Sequence, residues 1–241
     1  MDIDVYLERI GFEDEIRIDY RTLCALQRAH ILSIPFENID IHLGRPLSME
    51  PAKVFDKVVL GQRGGWCYEL NFLFAALLKE LGFNVEMVGM LSMQLMKISR
   101  EQVGKELQIR HPGIAVNLDS RYIADVGSGD GPLQPIKFPD VDPKIIGRVP
   151  PNDFTLAADW FLESPLSPHL KSVICVSVDE STVTSLFDRQ LQEGKISRVI
   201  ESAEDFVNTL NKKIGIDLPE AAGLWPDIVA RDKSAKARVP A

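Results

Sequence analysis

Apolar residues recur with a helical period through the first third of the chain. The longest such stripe consists of Leu70, Leu73, Phe74, Leu77, Leu78 and Leu81. Because residues three and four apart share one face of an α-helix, this spacing predicts an amphipathic helix over residues 70–81, which Gly82 would end. The same reasoning predicts helices over residues 22–32 and 50–60.

A two-residue alternation replaces this pattern in the middle of the chain. Ile114, Val116 and Leu118 alternate with small or polar residues. Turn-forming residues at 119–120 separate them from a second apolar run at residues 122–126. This order predicts a β-hairpin.

The rest of the chain predicts a mixture of strands and helix. Strands are expected over residues 171–178, 183–188 and 195–200, and a helix over residues 203–214. Residues 132–151 are rich in proline, aspartate and glycine and predict a connecting loop. The tail from residue 222 to 241 is expected to be disordered. Helical and strand patterns together predict an α+β protein.

Length and charge narrow the class of protein. With 241 residues and 45% hydrophobic content, the chain can bury a sizeable core. Its 27 basic and 35 acidic residues give a net charge of −8, so it offers no basic field for nucleic acid or an anionic membrane. Three cysteines without framework spacing indicate a reducing compartment, and no apolar run approaches the ~20 residues of a membrane span. The expected location is cytoplasmic.

A lone cysteine stands where the 70–81 helix should begin. Two glycines, Gly64 and Gly65, come shortly before Cys67, and glycine allows backbone dihedrals that are closed to other residues. The unpaired amide groups and the positive dipole end of a helix stabilise a thiolate, which favours Cys67 as a nucleophile. The alternative is a small buried hydrophobic residue beside a turn.

A histidine and a carboxylate lie at the two ends of the predicted hairpin. His111 starts its first arm, and Asp125 ends its second arm. Because the arms of a hairpin are neighbours, the two side chains can lie side by side. With a cysteine, they supply the groups for acyl transfer through a thioester. The imidazole takes the thiol proton, and the carboxylate fixes its tautomer and stabilises the imidazolium.

The other histidines and cysteines are weaker candidates for catalytic residues. His30 lies in a predicted helix, while His42 and His169 stand beside loop signals and are expected at the surface. Cys24 and Cys175 are expected to be core thiols. The sequence contains no CxxC, HExxH or aspartate-rich motif, so it gives no support for a metal site.

Several separate motifs resemble those of the arylamine N-acetyltransferases. That family is marked by Arg-Gly-Gly-x-Cys-x-Glu-x-Asn, which stands here at residues 63–71, with a histidine and an aspartate further on. The resemblance also takes in residues 6–11, 34–40, 44–47, 123–133 and 153–154. It covers most of the chain apart from the C-terminal tail.

The resemblance implies a role for each motif residue. Cys67 would be the nucleophile, His111 the base and Asp125 its orienting acid. The substrate-binding residues would be Phe36, Trp66, Gly127, Ser128 and Gly129. Glu37 and Arg63 would form a structural ion pair under the catalytic turn. No metal is implied.

The family's fold implies three regions around a core similar to that of cysteine proteases. They are a helical bundle with the catalytic cysteine over residues 1–83, a β barrel-like domain with the histidine and aspartate over 84–190, and an α/β lid with a disordered tail over 191–241. The middle domain is expected to be shortened, because the interval between Asp125 and the Asp-Phe motif at residues 153–154 is shorter than in most members.

Three positions depart from the family's usual residues. Ser128 stands where many members have phenylalanine, so the pocket would be wider and favour bulkier acceptors or donors. Pro112 and Gly113 follow His111 where members carry apolar strand residues. Because proline donates no ladder hydrogen bond, this arm is expected to be an edge strand or to begin only after Gly113.

The implied reaction moves an acetyl or other short acyl group from acetyl-CoA, through a Cys67 thioester, to the nitrogen of an arylamine or arylhydrazine. The mechanism would be ping-pong, with the coenzyme A thioester as co-substrate and with no nucleic-acid, membrane or metal partner. Two alternatives remain. One is an enzyme similar to the amide synthases that close ansamycin macrolactams, with a bulkier acyl thioester. The other is a non-catalytic binding protein on the same scaffold.

Overall fold

Helices dominate the start of the chain in a computed structural model of the protein, which describes residues 1–90, 111–138, 146–148 and 151–237. They are α1 (Ile3–Arg9), α2 (Tyr20–Ser33), α3 (Ile39–His42), α4 (Pro51–Phe55), which continues as a π-helical turn Asp56–Leu60, and α5 (Cys67–Glu80). The three helices predicted in this region are confirmed. Helix α5 begins three residues earlier than its apolar stripe, at Cys67 itself.

The strands form two antiparallel sheets beside these helices. The strands are β1 (Phe36–Glu37), β2 (Asn84–Met90), β3 (His111–Asn117), β4 (Arg121–Ala124), β5 (Ile136–Lys137), β6 (Ile146–Arg148), β7 (Ile174–Val178), β8 (Val183–Phe187), β9 (Gln190–Glu193) and β10 (Ile196–Val199). The first sheet has the order β5-β4-β3-β2-β6, and the second has the order β1-β7-β8-β9-β10. The fold is therefore α+β.

The predicted hairpin is confirmed, but its first arm is not an edge strand. Strand β3 begins at His111 and lies between β2 and β4. Its pairing with β4 starts only at Ile114, opposite Ala124. At Pro112 the strand therefore has one described neighbour, β2, and a missing amide donor on the other side costs nothing there.

The region between residues 132 and 151 is not a simple loop. Strand β5 pairs with β4, and β6 pairs with β2, so both edges of the first sheet come from this region. Strands of two or three residues are too short to show a periodic pattern, which is why they were not predicted. Residues 139–145 and 149–150 lie outside the described part of the chain.

The C-terminal region contains more helix than expected. Its helices are α6 (Pro151–Glu163), α7 (Pro168–Lys171), α8 (Ala203–Thr209), which continues as a π-helical turn Leu210–Ile214, a 3-10 helix Pro219–Leu224, and α9 (Trp225–Ala237). The expected disorder is wrong for α9. Ile228 is fully buried among apolar residues of the second sheet, and Arg231 pairs with Asp188 at 2.7 Å.

Helix α5 runs through the main hydrophobic core. Its fully buried residues are Leu70, Leu73, Phe74, Leu77 and Leu78. They pack in one cluster with residues of α2 and of strands β3 and β4. Each buried leucine stabilises the fold by about 1.5–3 kcal/mol relative to exposure. This packing fixes the start of α5 against the hairpin that carries His111.

Two further expectations concern the division of the chain. Strands β8 and β9 pair across residue 190, so the expected boundary between a β domain and a lid falls within one sheet. The barrel-like form of the middle region stays a prediction. Among the described residues, no helix combines the length and apolarity needed to cross a membrane.

Candidate active site

Cys67 lies on a turn that β1 holds in place. Glu37 N donates to Gly65 O at 2.9 Å, and Gly65 N donates to Pro35 O at 3.3 Å. A Cβ on Gly64 would lie 2.2 Å from Pro35 O, so only glycine permits this close approach. The turn therefore delivers Cys67 to the first position of α5, with 5% of its surface exposed.

His111 lies between Cys67 and Asp125. Strand β3 begins at His111 and Asp125 directly follows β4, so pairing of the two strands brings the side chains together. Nε2 of His111 is 2.8 Å from Oδ2 of Asp125. The imidazole also hydrogen-bonds the Cys67 thiol, and since Nε2 faces Asp125, Nδ1 is the nitrogen that faces sulfur.

Asn71 ties helix α5 to this hairpin. Its Nδ2 donates to Pro112 O and to Asp125 Oδ1, both at 2.8 Å. Its Oδ1 accepts from Val126 N at 2.9 Å. The sequence alone assigned Asn71 no role, although its place four residues after Cys67 puts both on one helix face. Asn71 therefore fixes the distance between the thiol and the carboxylate.

Burial and charge oppose each other at the two ionisable partners. Burial lowers the pKa of His111, but the charge of Asp125 and hydrogen bonds to Asp125 and Cys67 outweigh it and raise that pKa well above its usual value. Burial raises the pKa of Asp125, but the charge and hydrogen bond of His111, with bonds from Ser128 and Asn71, lower that pKa below its usual value. The arrangement stabilises an imidazolium and a carboxylate at neutral pH.

The loop after β4 presses against the nucleophile. A Cβ on Gly127 would lie 2.8 Å from Cys67 Cα and 2.5 Å from Asn71 Nδ2, so no side chain fits at Gly127. Gly129 has a φ of +77°, and a Cβ there would lie 3.5 Å from Phe36 Cβ. Gly127 therefore borders Cys67, and Gly129 borders Phe36.

Ser128, between these glycines, turns its hydroxyl toward the acid and the base. Its Oγ donates to Asp125 Oδ2 and lies 3.3 Å from His111 Nε2. The wider pocket expected from this serine stays a prediction. The geometry adds another effect, because a hydrogen bond to the carboxylate favours its ionised form.

Replacing Ser128 by alanine is expected to raise the pKa of Asp125, because it removes a hydrogen bond to the ionised carboxylate, and thereby to slow alkylation of Cys67 by iodoacetamide at acid pH. The rate at pH 7 should fall by less than about tenfold, since His111 still pairs with Asp125. Ser128→Thr keeps the hydroxyl and should give the wild-type profile. Identical profiles for Ser128→Ala and wild type would contradict the role of this bond.

A group of packed rings, which we call the aromatic wall, lies beside Cys67. It consists of Phe36, Trp66, Tyr68, Phe154, Phe161 and His169. Trp66 stacks on Tyr68 at 4.8 Å and meets Phe161 edge to face at 6.2 Å. The wall gives the thiol an apolar surround on one side.

Two rings of this wall come from α6, which was not predicted. Phe154 and Phe161 lie on its buried face together with Ala157 and Ala158. The signal was present, because these four residues have the i, i+3, i+4, i+7 spacing of an amphipathic helix.

His169 was expected at the surface and is instead part of the wall. Its ring lies 5.2 Å from Phe161 and 5.7 Å from Trp66. The Ser-Pro signal beside it starts helix α7 rather than an exposed loop, since Ser167 Oγ accepts from His169 N at 3.2 Å. The imidazole of His169 therefore lies against the rings of the wall and not at an exposed loop.

Glu37 and Arg63 lie in a buried charge cluster behind the turn, which also contains Asp40, Lys57 and Glu69. Arg63 Nη2 donates to Glu37 Oε1 at 2.6 Å and to Asp40 Oδ1 at 3.2 Å. Lys57 Nζ lies 2.8 Å from Asp40 Oδ2 and 2.8 Å from Glu69 Oε2. The sequence suggested one ion pair, whereas the structure has three carboxylates around two cations.

The buried charge cluster reaches the nucleophile through Glu69. Its Oε2 accepts a hydrogen bond from Trp66 N at 3.2 Å. Trp66 is the last residue before α5, so this bond holds the start of the helix. Burial raises the pKa of Glu69, Lys57 lowers it, and the balance places that pKa at about 7. Glu69 thus joins the electrostatics of the cluster to the position of Cys67.

No metal site is present in the part of the chain that the structure describes, where no group of three His, Cys, Asp or Glu side chains is arranged to hold an ion. Cys175 is buried in the core as expected, and burial raises the pKa of its thiol. Cys24 is half-buried rather than fully in the core.

Comparisons with known proteins show which protein family the chain is similar to. The N-acetyltransferase family model matches residues 19–145, which include Cys67, His111 and Asp125. The arylamine N-acetyltransferase of Mycolicibacterium smegmatis is 31% identical over 96% of this chain and 97% of its own length. The liver isozyme of arylamine N-acetyltransferase from Gallus gallus is 35% identical over 56% of this chain, which spans only 46% of that protein's length.

A solved structure shares the fold over almost the whole chain. The arylamine N-acetyltransferase of Mycobacterium marinum in complex with CoA superposes with a TM-score of 0.79, at 23% identity over 95% of this chain and 98% of that one. The chain belongs to the arylamine N-acetyltransferase family.

Proposed function

We propose that this protein acetylates arylamines through a thioester on Cys67, with His111 as base and Asp125 as its orienting acid. The observation that carries the proposal is the His111 imidazole, which hydrogen-bonds both Asp125 and the Cys67 thiol. Acyl transfer through a cysteine requires this combination of nucleophile, base and orienting group. Membership of the arylamine N-acetyltransferase family supports the same reaction.

The first half-reaction acylates the enzyme. The Cys67 thiolate attacks the carbonyl carbon of acetyl-CoA, forming a bond from Sγ to that carbon. The bond between the carbon and the sulfur of CoA then breaks, and the His111 imidazolium gives its proton to the leaving thiolate. Acetylated Cys67 and a neutral His111 remain, and Asp125 keeps the lone pair of Nδ1 pointed at the reacting atoms.

The second half-reaction transfers the acetyl group. The amine nitrogen attacks the thioester carbon, and His111 takes a proton from that nitrogen. The carbon–sulfur bond to Cys67 breaks, which releases the N-acetyl product and restores the thiolate beside the imidazolium. Each half-reaction thus uses one proton transfer at the same nitrogen of His111.

The aromatic wall supports an aromatic acceptor, because flat rings pack well against ring faces and edges. We propose Phe36, Trp66, Gly127, Ser128 and Gly129 as substrate-binding residues, and an arylamine or arylhydrazine as acceptor. The M. marinum enzyme of the same fold was solved with CoA, which supports acetyl-CoA as the donor. No observation favours a bulkier, amide synthase-like donor, and a binding protein would have no need of an imidazole beside the thiol.

The finer features of the fold belong to the same proposal. We propose the regions 1–83, 84–190 and 191–241 as divisions of the chain, with the second sheet extending across residue 190. The middle region would be a shortened barrel, and α5 and the hairpin would form a cysteine-protease-like core. The cytoplasm remains the proposed location, because all three cysteines are free thiols.

Intact-mass measurement after incubation with acetyl-CoA, without amine, tests the function. The wild-type protein should gain one acetyl group and lose it when 4-methylaniline is added. Cys67→Ala should gain none, whereas the matched control Cys24→Ala, at another free thiol, should behave as wild type. An unmodified wild-type protein whose Cys67 also reacts slowly with iodoacetamide at pH 7 would refute the proposal.

A further inference from the structure

Two buried ring nitrogens of the aromatic wall have no hydrogen-bond partner among the described residues. They are Nε1 of Trp66 and Nδ1 of His169. A polar group that is buried without a partner costs free energy, and native proteins rarely keep one without a reason. Two such atoms on neighbouring rings, next to the nucleophile, therefore indicate a binding function.

The two rings are direct neighbours in the aromatic wall. Their centroids are 5.7 Å apart and their planes meet at 84°. Trp66 directly precedes Cys67, and the charge of His111 acts on His169. A shared oxygen would thus lie near the proposed reaction.

The chemistry of the two nitrogens limits what they can bind. Indole Nε1 is a donor only. Burial, followed by the charges of His111 and His42, lowers the pKa of His169 to about 4, so its imidazole is neutral at pH 7. A neutral pair gives an anion no counter-charge. A hydroxyl fits better, because its oxygen accepts from Trp66 while its hydrogen is donated to Nδ1 of His169.

The surroundings favour a hydroxyl that is attached to an aromatic ring. Phe161 and Phe36 lie 5.2 Å and 6.2 Å from the His169 ring. These faces suit a flat arene better than a flexible acyl chain.

We propose that Trp66 and His169 form a polar pair that selects acceptor amines carrying a hydroxyl group on the aromatic ring. The inference rests on the proposed function, since it names the acceptor class of the same site. His169 would be a specificity-determining residue, and it takes no part in the proton transfers of His111.

Acceptor specificity tests the pair directly. At saturating acetyl-CoA, kcat/KM is measured for 3- and 4-aminophenol and for the matching 3- and 4-methylanilines, in which a methyl group replaces the hydroxyl. For a ping-pong enzyme, kcat/KM of the acceptor reports only the second half-reaction. The wild-type ratio of aminophenol to methylaniline should fall about tenfold in His169→Phe and in Trp66→Phe for at least one isomer pair, the size expected for one or two hydrogen bonds. Intrinsic amine reactivity cancels because the same amines are compared.

A control variant separates the effect of losing a ring nitrogen from the effect of disturbing the packing of the aromatic wall. Phe161→Leu disturbs the same wall without touching either nitrogen, so it should change kcat/KM for both amines by a similar factor. The proposal is wrong if the ratios of His169→Phe and Trp66→Phe stay within twofold of wild type in proteins with wild-type melting temperatures. It is also wrong if these variants slow acetylation of Cys67 by acetyl-CoA and leave the ratios unchanged, because the oxygen would then belong to the donor.

Direct binding keeps the inference testable if the enzyme proves not to transfer acetyl groups. Calorimetric titration of the unacylated protein should give tighter binding of an aminophenol than of its methylaniline partner, and His169→Phe should remove that preference. Loss of acetylation with the preference retained would refute only the proposed function, whereas equal binding of the two amines would refute the polar pair.

Discussion

Replacing Asp125 by asparagine is expected to slow acetylation of Cys67 by about 10⁴-fold, because a triad acid holds the tautomer that makes its histidine a base. Asp125 Oδ1 accepts from Asn71 Nδ2 and Gly127 N, both at 2.8 Å, so the amide oxygen of the variant would take that position. The amide nitrogen would then face His111 Nε2 as a donor. His111 would have to carry its proton on Nδ1, the nitrogen that faces the thiol, and it could no longer accept the thiol proton.

The same variant should keep its fold. The bonds to Asn71 and Gly127 survive, and no cavity is created, so the melting temperature should stay within a few degrees of wild type. Single-turnover acetylation followed by intact mass gives the rate. Asp130→Asn is a matched control, since Asp130 lies on the same loop and is exposed. A rate for Asp125→Asn within tenfold of wild type would exclude Asp125 as the orienting acid.

The parts of the fold that could be predicted carry local signals. The stripe from Leu70 to Leu78 repeats over several turns, and the hairpin shows both alternation and a turn. Helix α9 was missed because its stability comes from tertiary contacts: Ile228 is buried under the second sheet and Arg231 pairs with Asp188, neither of which a polar tail sequence reveals. The prediction of an edge strand from Pro112 failed for a related reason. A central strand can contain this proline because the pairing with β4 does not extend to residue 112.

The candidate site follows the same rule. Cys67, His111 and Asp125 could be singled out because each stands at the end of a predicted element. The role of Asn71 became visible only from its bonds to Pro112 and Asp125, which cross from the helix to the sheet. Contacts between a helix and a sheet of this kind cannot be predicted from the spacing of residues along the sequence.

The buried charge cluster is the largest such omission. Lys57 has only 16% of its side chain exposed, and it lies 2.8 Å from Asp40 and Glu69 and 3.6 Å from Glu37. Burial lowers the pKa of Lys57, but the three carboxylates outweigh it and raise that pKa above its usual value. Lys57 therefore stays charged and balances carboxylates that Arg63 alone could not.

Replacing Lys57 by methionine, which is similar in shape, is expected to destabilise the protein by about 3–5 kcal/mol, because it leaves buried carboxylates without a counter-charge. Chemical denaturation gives the free energy of unfolding. Lys53→Met is the matched control on the preceding turn, where the side chain is 69% exposed and pairs with the exposed Glu50. That control should cost less than about 1 kcal/mol.

The loss of stability caused by Lys57→Met should also depend on pH, and the titration of Glu69 determines whether this loss grows or shrinks as the pH rises. The pKa of Glu69 is about 7 in the folded protein and about 4.3 in an unfolded chain. At a pH between these two pKa values, Glu69 is protonated more often in the folded state than in the unfolded state. The contribution of Glu69 to stability therefore falls as the pH rises. Removing Lys57 takes away the charge that favours ionised Glu69, which raises its folded pKa further. The destabilisation by Lys57→Met should therefore be smaller at pH 5.5 than at pH 8, and a loss that is equal at both values would show that Glu69 is not the carboxylate that Lys57 neutralises.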